Sequence, residues 1–580
     1  MTEDIQQQQK LKIAIVGAGM GGLSLAHMIL SDEKKWPHVQ VTLFEKKGRF
    51  GGRVKTIRTH DGWYEAGASR IGNTHRRVRQ FARSLGCKEE ALPSSYDQRT
   101  LLPPVAKRFR TIRDQFVRNF GKDALGSLTW YDVLTIMIPN QIEREDVIKR
   151  WGFSSTLTQM NAFDFWEHAM PQYLCSSYFT LDGGLQTMVD KAIKRLQTTP
   201  WNTRVQIRSS ARLMHIDTVR VNKHFKIRIQ YESDTEASRL PLSCKTSSNT
   251  SSPRSEVFDA VFTALPAEAL AELQGLPARY DHLWSSVSRN RLIRVYASYD
   301  KVASNKLSHS KRKHVKQGSS ITRRKKTSLN HKLSRRRAIT DLCKSNIRST
   351  SLCRCTSTHS PSWSQLAYCD DRHAEHLYNV LRMSKGLDLF RKLVSGTIGH
   401  AWGRFKTTDV YYWKSGTHSW KPKLLSADHY ERVLQPDTKV PWFVVGASFS
   451  HYQHWMEGAL ETAHDAYTRW CRYAQEWFGV NEKVRKKPFK TPELCKSALT
   501  LHKTCKKANK AWTMTEVQQK QYVALDGYVY DVKDIVERHP GGAAILQKML
   551  GKDISEAYHR IGHSSTARAW VEEHCVGRLA

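Results

Sequence analysis

Residues 11–30 read LKIAIVGAGMGGLSLAHMIL. The apolar, β-branched run that closes on glycine predicts a buried parallel strand. Leu23, Leu25, Met28 and Ile29 then recur at helical spacing. Between strand and helix stand Gly17, Gly19 and Gly22 in the pattern G-x-G-x-x-G. The first glycine permits the tight turn, the second lets backbone approach a pyrophosphate, and the third lets the helix pack close to the strand. The helix start offers N–H groups and the positive end of its dipole to phosphates. A second strand, VQVTLFE at 39–45, alternates Val39, Val41 and Leu43 and ends at Glu45, 23 residues after Gly22. A carboxylate there accepts both hydroxyls of an adenosine ribose. It also repels a 2′-phosphate, which disfavours NADP and leaves FAD or NAD. The unit predicts an α/β fold of Rossmann type.

The next segment, EKKGRFGGRVKT at 45–56, resembles the element after the second strand in the flavin-containing amine oxidase superfamily. The resemblance implies FAD, with Arg49, Gly51, Gly52 and Arg53 along its pyrophosphate and flavin. Taken alone, Arg49 and Arg53 would be ordinary surface arginines; in this setting guanidinium groups pair bidentately with phosphate oxygens. GWYEAGASRIG resembles the family's next element and maps its flavin-facing backbone onto Gly67 and Ala68. LDGGLQTMVDKAI and SEVFDAVFTALPAEAL resemble later segments of the cofactor domain, and SARLMHI carries Leu213 where the backbone meets adenine. WFVVGASFSHYQHWMEGALETAHDAYTRW resembles the last FAD element, which implies Gly446, Met456, Glu457 and Gly458 close to the flavin. N–H groups at that helix start would stabilise negative charge on a reduced ring. The resemblance spans about residues 11–475 and implies an interleaved α+β substrate domain.

Three departures from the family pattern bear on chemistry. Ala447 stands where an acidic residue usually follows the strand and glycine. Arg294, in RLIRVYASYD, stands where many amine oxidases place a lysine. Arginine cannot exchange protons as a base at neutral pH, so fast reaction with oxygen is not expected. Thr417 and His418, in YWKSGTHSWKP, stand where monoamine oxidases place a flavin-linked cysteine and a cage tyrosine, which implies non-covalent FAD. Trp455 would be the second cage aromatic. Arg294, His418 and Trp455 are therefore the substrate-side candidates, and no catalytic base is assigned.

Toward the other end, YVALDGYVYDV alternates as two strands about Asp526-Gly527, a hairpin signal. DIVERHPGG and GHSS follow. This stretch, 511–580, resembles cytochrome b5. The resemblance makes His539 and His563, 24 residues apart, the two axial ligands of a b-type haem. Two neutral imidazoles can close both faces of an iron porphyrin and leave oxygen no site. No CxxCH motif is present, so no thioether link is expected. In that family acidic residues often face redox partners; Glu537, Asp553 and Glu556 lie near the haem motifs here.

The net charge of +38 is concentrated. Residues 301–360 hold 17 Lys/Arg against one Asp, and 481–510 hold ten Lys/Arg against two Glu, whereas 511–580 carry eight Lys/Arg and nine Asp/Glu. The first stretch has few large apolar residues and reads as a disordered basic insertion. It could engage nucleic acid, an anionic surface or an import receptor, or be solvated with no partner. The domain organisation expected is 1–75, 180–270 and 436–478 for the FAD domain. The substrate domain is 76–179 and 271–435, the insertion 301–360, a Lys-rich linker 479–510 and the haem domain 511–580. No run of about 18 apolar residues suggests a membrane span. Eleven scattered cysteines without a CxxC pair fit free thiols and an intracellular, cytoplasmic setting, with a nuclear one possible through the insertion. The function expected is that of an FAD-dependent oxidoreductase. It would oxidise a small amine or lipid-like molecule by hydride transfer and exchange electrons with the haem domain or a redox partner protein. A lipid or isoprenoid desaturase-like flavoenzyme and a nucleic-acid-associated flavoprotein scaffold are the rivals.

Overall fold

The structure is a computed structural model. It describes residues 11–92, 102–299 (except 152, 175–176, 222–223 and 234–252), 362–398, 405–478, 510–536, 543–558 (except 556), 571 and 574–580. The expected basic insertion, nearly all of the Lys-rich linker, and His539, His563, Glu537 and Glu556 lie outside the described residues. The chain divides into two compact units, Met1–Lys483 and Val484–Ala580.

The first unit is built on the strand Lys12–Val16, in which Ile13, Ala14 and Ile15 are fully buried. It lies third in a five-stranded parallel sheet, between Ala260–Thr263 on one side and Gln40–Phe44 on the other. Trp442–Val444 and Val205–Arg208 form the two edges. Strands buried on both faces explain the unbroken apolar run. The helix Met20–Ser31 is buried from Met20 to Leu30 because it is covered on both sides. A Cβ on Gly21 would stand 2.9 Å from Val445 Cγ1 and 3.0 Å from the Ala459 carbonyl. Glycine at 21 therefore sets how closely the first helix meets the last one, Met456–Phe478.

Gly17 ends the first strand at φ 108°, and a Cβ there would sit 2.4 Å from the Ala264 carbonyl oxygen. A Cβ on Gly22 would be 2.0 Å from the Gly17 oxygen. Both positions exclude a side chain, one by backbone conformation and space, the other by space alone.

Above this sheet a three-stranded antiparallel sheet runs Trp363–Asp370, Val287–Tyr299, Phe405–Trp420. Helices between 102 and 173 pack their own core around Phe109, Trp130, Trp151 and Phe165. The helix Arg76–Ser84 attaches to the last helix instead: Glu457 accepts from the Arg77 and Val78 amides at 3.0 Å each. The cofactor-side layer thus extends past residue 75, where the sequence suggested a boundary, because Glu457 supplies this helix with its N-terminal acceptor.

The second unit contains a four-stranded sheet in the order Ala511–Trp512, Cys575–Leu579, Tyr528–Tyr530, Val523–Leu525. Asp526 and Gly527 turn the hairpin with φ 52° and 80°, the pair of positive values that a two-residue primed turn needs. Thr513 and Glu516 form a capping box that starts the helix Met514–Lys520. Leu525, Tyr530, Ile535, Leu546 and Ile554 share its core.

Candidate functional site

The first unit encloses a cavity of 780 Å³ that begins at the glycine turn. Gly17 and Gly19 line it, and a Cβ on Gly19 would find its nearest neighbour at 3.9 Å, so the backbone there is open to a bound group. Gly22 is not among the lining residues, in keeping with its packing contact on Gly17. The Glu45 carboxylate, 8 % exposed, lines the cavity and is fixed by the Ala18 and Lys47 amides, each at 3.0 Å. An aimed carboxylate beside an open glycine backbone and a helix start is the donor and acceptor set that an adenosine diphosphate moiety requires.

Arg49, Gly51, Gly52 and Arg53 also line the cavity. Arg49 stitches its own loop by donating to the Phe50 (3.2 Å), Val54 (3.0 Å) and Gly52 carbonyls. Arg53 donates to the Gly416 carbonyl at 3.1 Å, which ties the loop to the strand Phe405–Trp420. Burial lowers the pKa of both groups, but a guanidinium remains charged at neutral pH. Gly67, Ala68, Leu213, Gly446, Ala447 and Met456 complete the lining expected from sequence. Glu457 and Gly458 are not in it. The Glu457 carboxylate turns away to the amides of residues 77 and 78, and a Cβ on Gly458 would strike Ser450 Oγ at 2.0 Å.

The substrate-side expectations divide. Arg294 lines the cavity at 8 % exposure and donates to the Glu65 carbonyl (3.2 Å), Tyr296 (3.2 Å) and Ser69 (3.0 Å). Burial lifts the Glu65 carboxyl to about 7 against the Leu185 amide, the Thr56 hydroxyl and the charge of Arg294. Trp455 lines the cavity beside Tyr178, whose ring is nearly parallel at 6.1 Å. His418 does not line it, and its expected substrate-side place is corrected. Thr417 faces the cavity, and on a strand the next side chain points to the other face. His418 is buried with Nε2 3.1 Å from both Glu268 oxygens and Nδ1 3.2 Å from Ser448 Oγ. Burial lowers the His418 pKa. Glu268 is itself disfavoured by burial, yet its bond to His418 holds it down at about 2.

Side chains that sequence reasoning passed over complete the wall around Trp455. Arg70 lies 4.4 Å from the Tyr178 ring centre and 5.5 Å from that of Trp455. Tyr173 and His454 line the cavity, with the Tyr173 hydroxyl 3.3 Å from His454 Nδ1. His454 Nε2 meets Ser419 Oγ at 3.0 Å, and Asn290 Nδ2 donates to the same oxygen at 2.8 Å. His454 has φ 75°, a left-handed conformation rare outside glycine. Burial, then the proximity of His418 and Arg53, lowers its pKa to about 3, so the ring is neutral. No local pattern announces these residues; HxxH at 451–454 is the nearest signal. Among the described residues no group of three His, Cys, Asp or Glu side chains could hold a metal ion, and no helix is long and apolar enough to cross a membrane.

Two family models match the chain in order: flavin containing amine oxidoreductase over residues 20–466, and cytochrome b5-like heme/steroid binding domain over 507–580. The C-terminal part is 38 % identical over 75 residues to cytochrome B5 isoform D of Arabidopsis thaliana, covering 12 % of this chain and 54 % of that protein. It is 38 % identical over 76 residues to cytochrome b5 of Cuscuta reflexa, covering 12 % of this chain and 56 % of that protein. For cytochrome b5 of Borago officinalis the figures are 40 % over 75 residues, 12 % and 57 %. The chain spans about half the length of the curated relatives it matches. The cavity, its glycine turn and the fixed Glu45 fit the FAD that the first model implies, and the second model implies haem. The chain belongs to the flavin containing amine oxidoreductase family and also carries a cytochrome b5-like domain.

Proposed function

We propose that this chain oxidises a small polar substrate in the 780 Å³ cavity and that the reducing equivalents leave through its haem domain. One observation carries the reading: a single cavity is lined both by the glycine turn and Glu45 and by the Arg70, Tyr173, His454 and Trp455 wall. FAD, bound non-covalently in a Rossmann-type dinucleotide site, supplies the two-electron acceptor. The protein's part is binding and orientation. Gly17 and Gly19 bring backbone to the pyrophosphate, Glu45 takes the ribose, and Arg49 and Arg53 offset phosphate charge. The helix starting at Met456 points its dipole end into the cavity, where it favours negative charge. Arg294 stands in for the proton-exchanging lysine of related oxidases and donates instead to the Glu65 carbonyl and the Ser69 hydroxyl. A polar wall favours this reading over the lipid or isoprenoid desaturase.

The reading is tested by mixing the FAD- and haem-loaded full chain anaerobically with benzylamine, spermine, amino acids and fatty acids. Bleaching of the flavin absorbance by a polar substrate, followed by growth of reduced-haem bands, is the expected outcome. Bleaching by dithionite alone, or flavin bleaching with unchanged haem, would overturn the oxidation or the haem outlet respectively. Non-covalent attachment follows from Thr417, and acid precipitation should leave the flavin in the supernatant. His539 and His563 are proposed as the haem ligands; alanine at either should remove the low-spin haem spectrum and leave flavin content intact.

A further inference from the structure

We propose that His168 and His451 form a proton-operated latch on the loop 448–455, closed while the pair carries one proton between its two rings. The loop ends in His454 and Trp455, which line the cavity, and runs into the helix Met456–Phe478. The inference concerns how that loop is held, and it stands whatever molecule the cavity oxidises.

The loop is held on two sides by unlike means. Toward the sheet, Gln453 Oε1 accepts from the Trp420 amide at 2.9 Å, and Trp420 Nε1 donates to the Ser450 carbonyl at 3.1 Å. Amide and indole groups carry no charge, so pH does not touch these bonds. Toward the helices the hold is His451. Its backbone N–H donates to Glu461 Oε2 at 3.0 Å, and its Nδ1 lies 3.2 Å from Glu461 Oε1. The Tyr430 ring lies 4.3 Å from the His451 ring and the His168 ring 4.8 Å. His168 belongs to a π-helical turn, Phe165–Ala169, a widened winding that recurs at functional sites.

Charged groups face the pair from each element packed on it. Glu461, fully buried, faces both rings. So does Asp164, whose Oδ1 is 3.6 Å from His168 Nε2. Asp164 already accepts from Asn161 Nδ2 (2.6 Å), the Ser426 amide (3.0 Å) and the Ser426 hydroxyl. Glu167 turns to Lys122 at 3.6 Å. Asp465 faces His451 while bonded to the Tyr430 hydroxyl (2.7 Å) and to His464 Nδ1 (3.0 Å). Arg77 faces Glu461 and Asp465 while paired with Glu457 at 3.6 Å.

Burial works against a charge on His451, but Glu461 outweighs it and raises the His451 pKa. Burial, then the charge of His451, lowers that of His168. The first proton therefore settles on His451. A second one on His168 sets two imidazolium rings in contact, with the nearest carboxylate already committed, and like charges repel strongly in an interior. The His168 side chain is 19 % exposed, so it has a way out to water, and in leaving it uncovers His451. At the other extreme, a deprotonated His451 leaves Glu461 without its cation at 3.2 Å. The hold from His168 is full above the ordinary histidine pKa and is lost as pH falls toward its lowered value. The hold from His451 is full below the ordinary value and is lost as pH rises through its raised one. The latch is thus tightest near pH 6.5, at about the ordinary histidine pKa.

Hydrogen exchange followed by mass spectrometry on the FAD- and haem-loaded full chain tests the latch, with the intrinsic pH dependence of exchange divided out. Protection of the amides in 448–455 should peak near pH 6.5 and fall about tenfold by pH 5 and several-fold by pH 8.5. The amides of Lys12–Val16 should show no such peak. His168→Gln and His168→Phe, neither of which takes up a proton, should abolish the acid limb and keep the alkaline one. His451→Gln should abolish the alkaline limb and shrink the acid one. A wild-type profile without a peak, a peak shared by Lys12–Val16, or an acid limb that survives in the His168 variants overturns the proposal. The wild-type profile alone decides if those variants fail to fold.

Discussion

The two ends of the cavity are made of different materials. At the glycine turn the surface offered to a bound group is mostly backbone: Gly17, Gly19, Gly51 and Gly52, with Glu45 pinned by two amides. At the other end it is side chains drawn from separate segments: Arg70, Tyr173, Arg294, His454 and Trp455. A backbone surface cannot be altered without altering the fold, because the same atoms hold the sheet and helix together. A side-chain surface can be rewritten one residue at a time while the frame stays. The cofactor end is therefore rigid and general, and the substrate end is the part that can be altered while the frame stays.

The largest expected effect comes from breaking the rigid end. Gly17→Ala places a methyl group 2.4 Å from the Ala264 oxygen at φ 108° and should cost about 3 kcal/mol or more, with loss of flavin. A Tm scan and the flavin-to-protein absorbance ratio check it, and a flavin-loaded variant of unchanged Tm would refute the backbone-built description.

A smaller effect should come from acid. His27 is buried between Phe81 and Trp201, with Nε2 3.0 Å from the Ala192 carbonyl, and burial lowers its pKa to about 4. The unfolded histidine takes up a proton near 6.5, so stability from this group is complete above that pH and is lost as pH falls toward 4. The loss from His27 alone should be about 2 kcal/mol at pH 5. Chemical denaturation at pH 7 and pH 5 measures it; His27→Gln should flatten the slope, and an unchanged slope would count against the buried neutral ring.

The smallest effect sharpens the contrast. His454→Gly relieves a left-handed backbone and should leave stability unchanged or raise it by about 1 kcal/mol while ligand affinity falls. Destabilisation beyond that range would make His454 part of the frame and erase the distinction between the two ends.

The same contrast explains what could be read from sequence. Glycine spacing and a strand ending in Glu45 are local patterns, so Gly17, Gly19 and Glu45 were legible together, as was the Asp526-Gly527 hairpin. Trp455 and Arg294 were legible only through family resemblance. His418 went astray because alternation says that 417 and 418 face opposite ways and not which of them faces the cavity. Tyr173, in a run of helical aromatics, reads as core, and its partner His454 lies 281 positions away. A wall assembled from remote segments leaves no periodic trace.

Gly21 fits the first helix against the last, the central strand takes one neighbour from residues 260–263, and that neighbour pairs in turn with 442–444. The cavity therefore cannot close until the last helix, Met456–Phe478, has been made. At about 5–20 residues per second, some 440 residues separate the glycine turn from Met456, a wait of roughly 20 to 90 seconds. During that interval the apolar first strand and helix lack their final cover and depend on whatever the cell supplies to shield them. Truncations ending before the last helix should be aggregation-prone and flavin-free, and cofactor capture becomes the final event of this unit's synthesis.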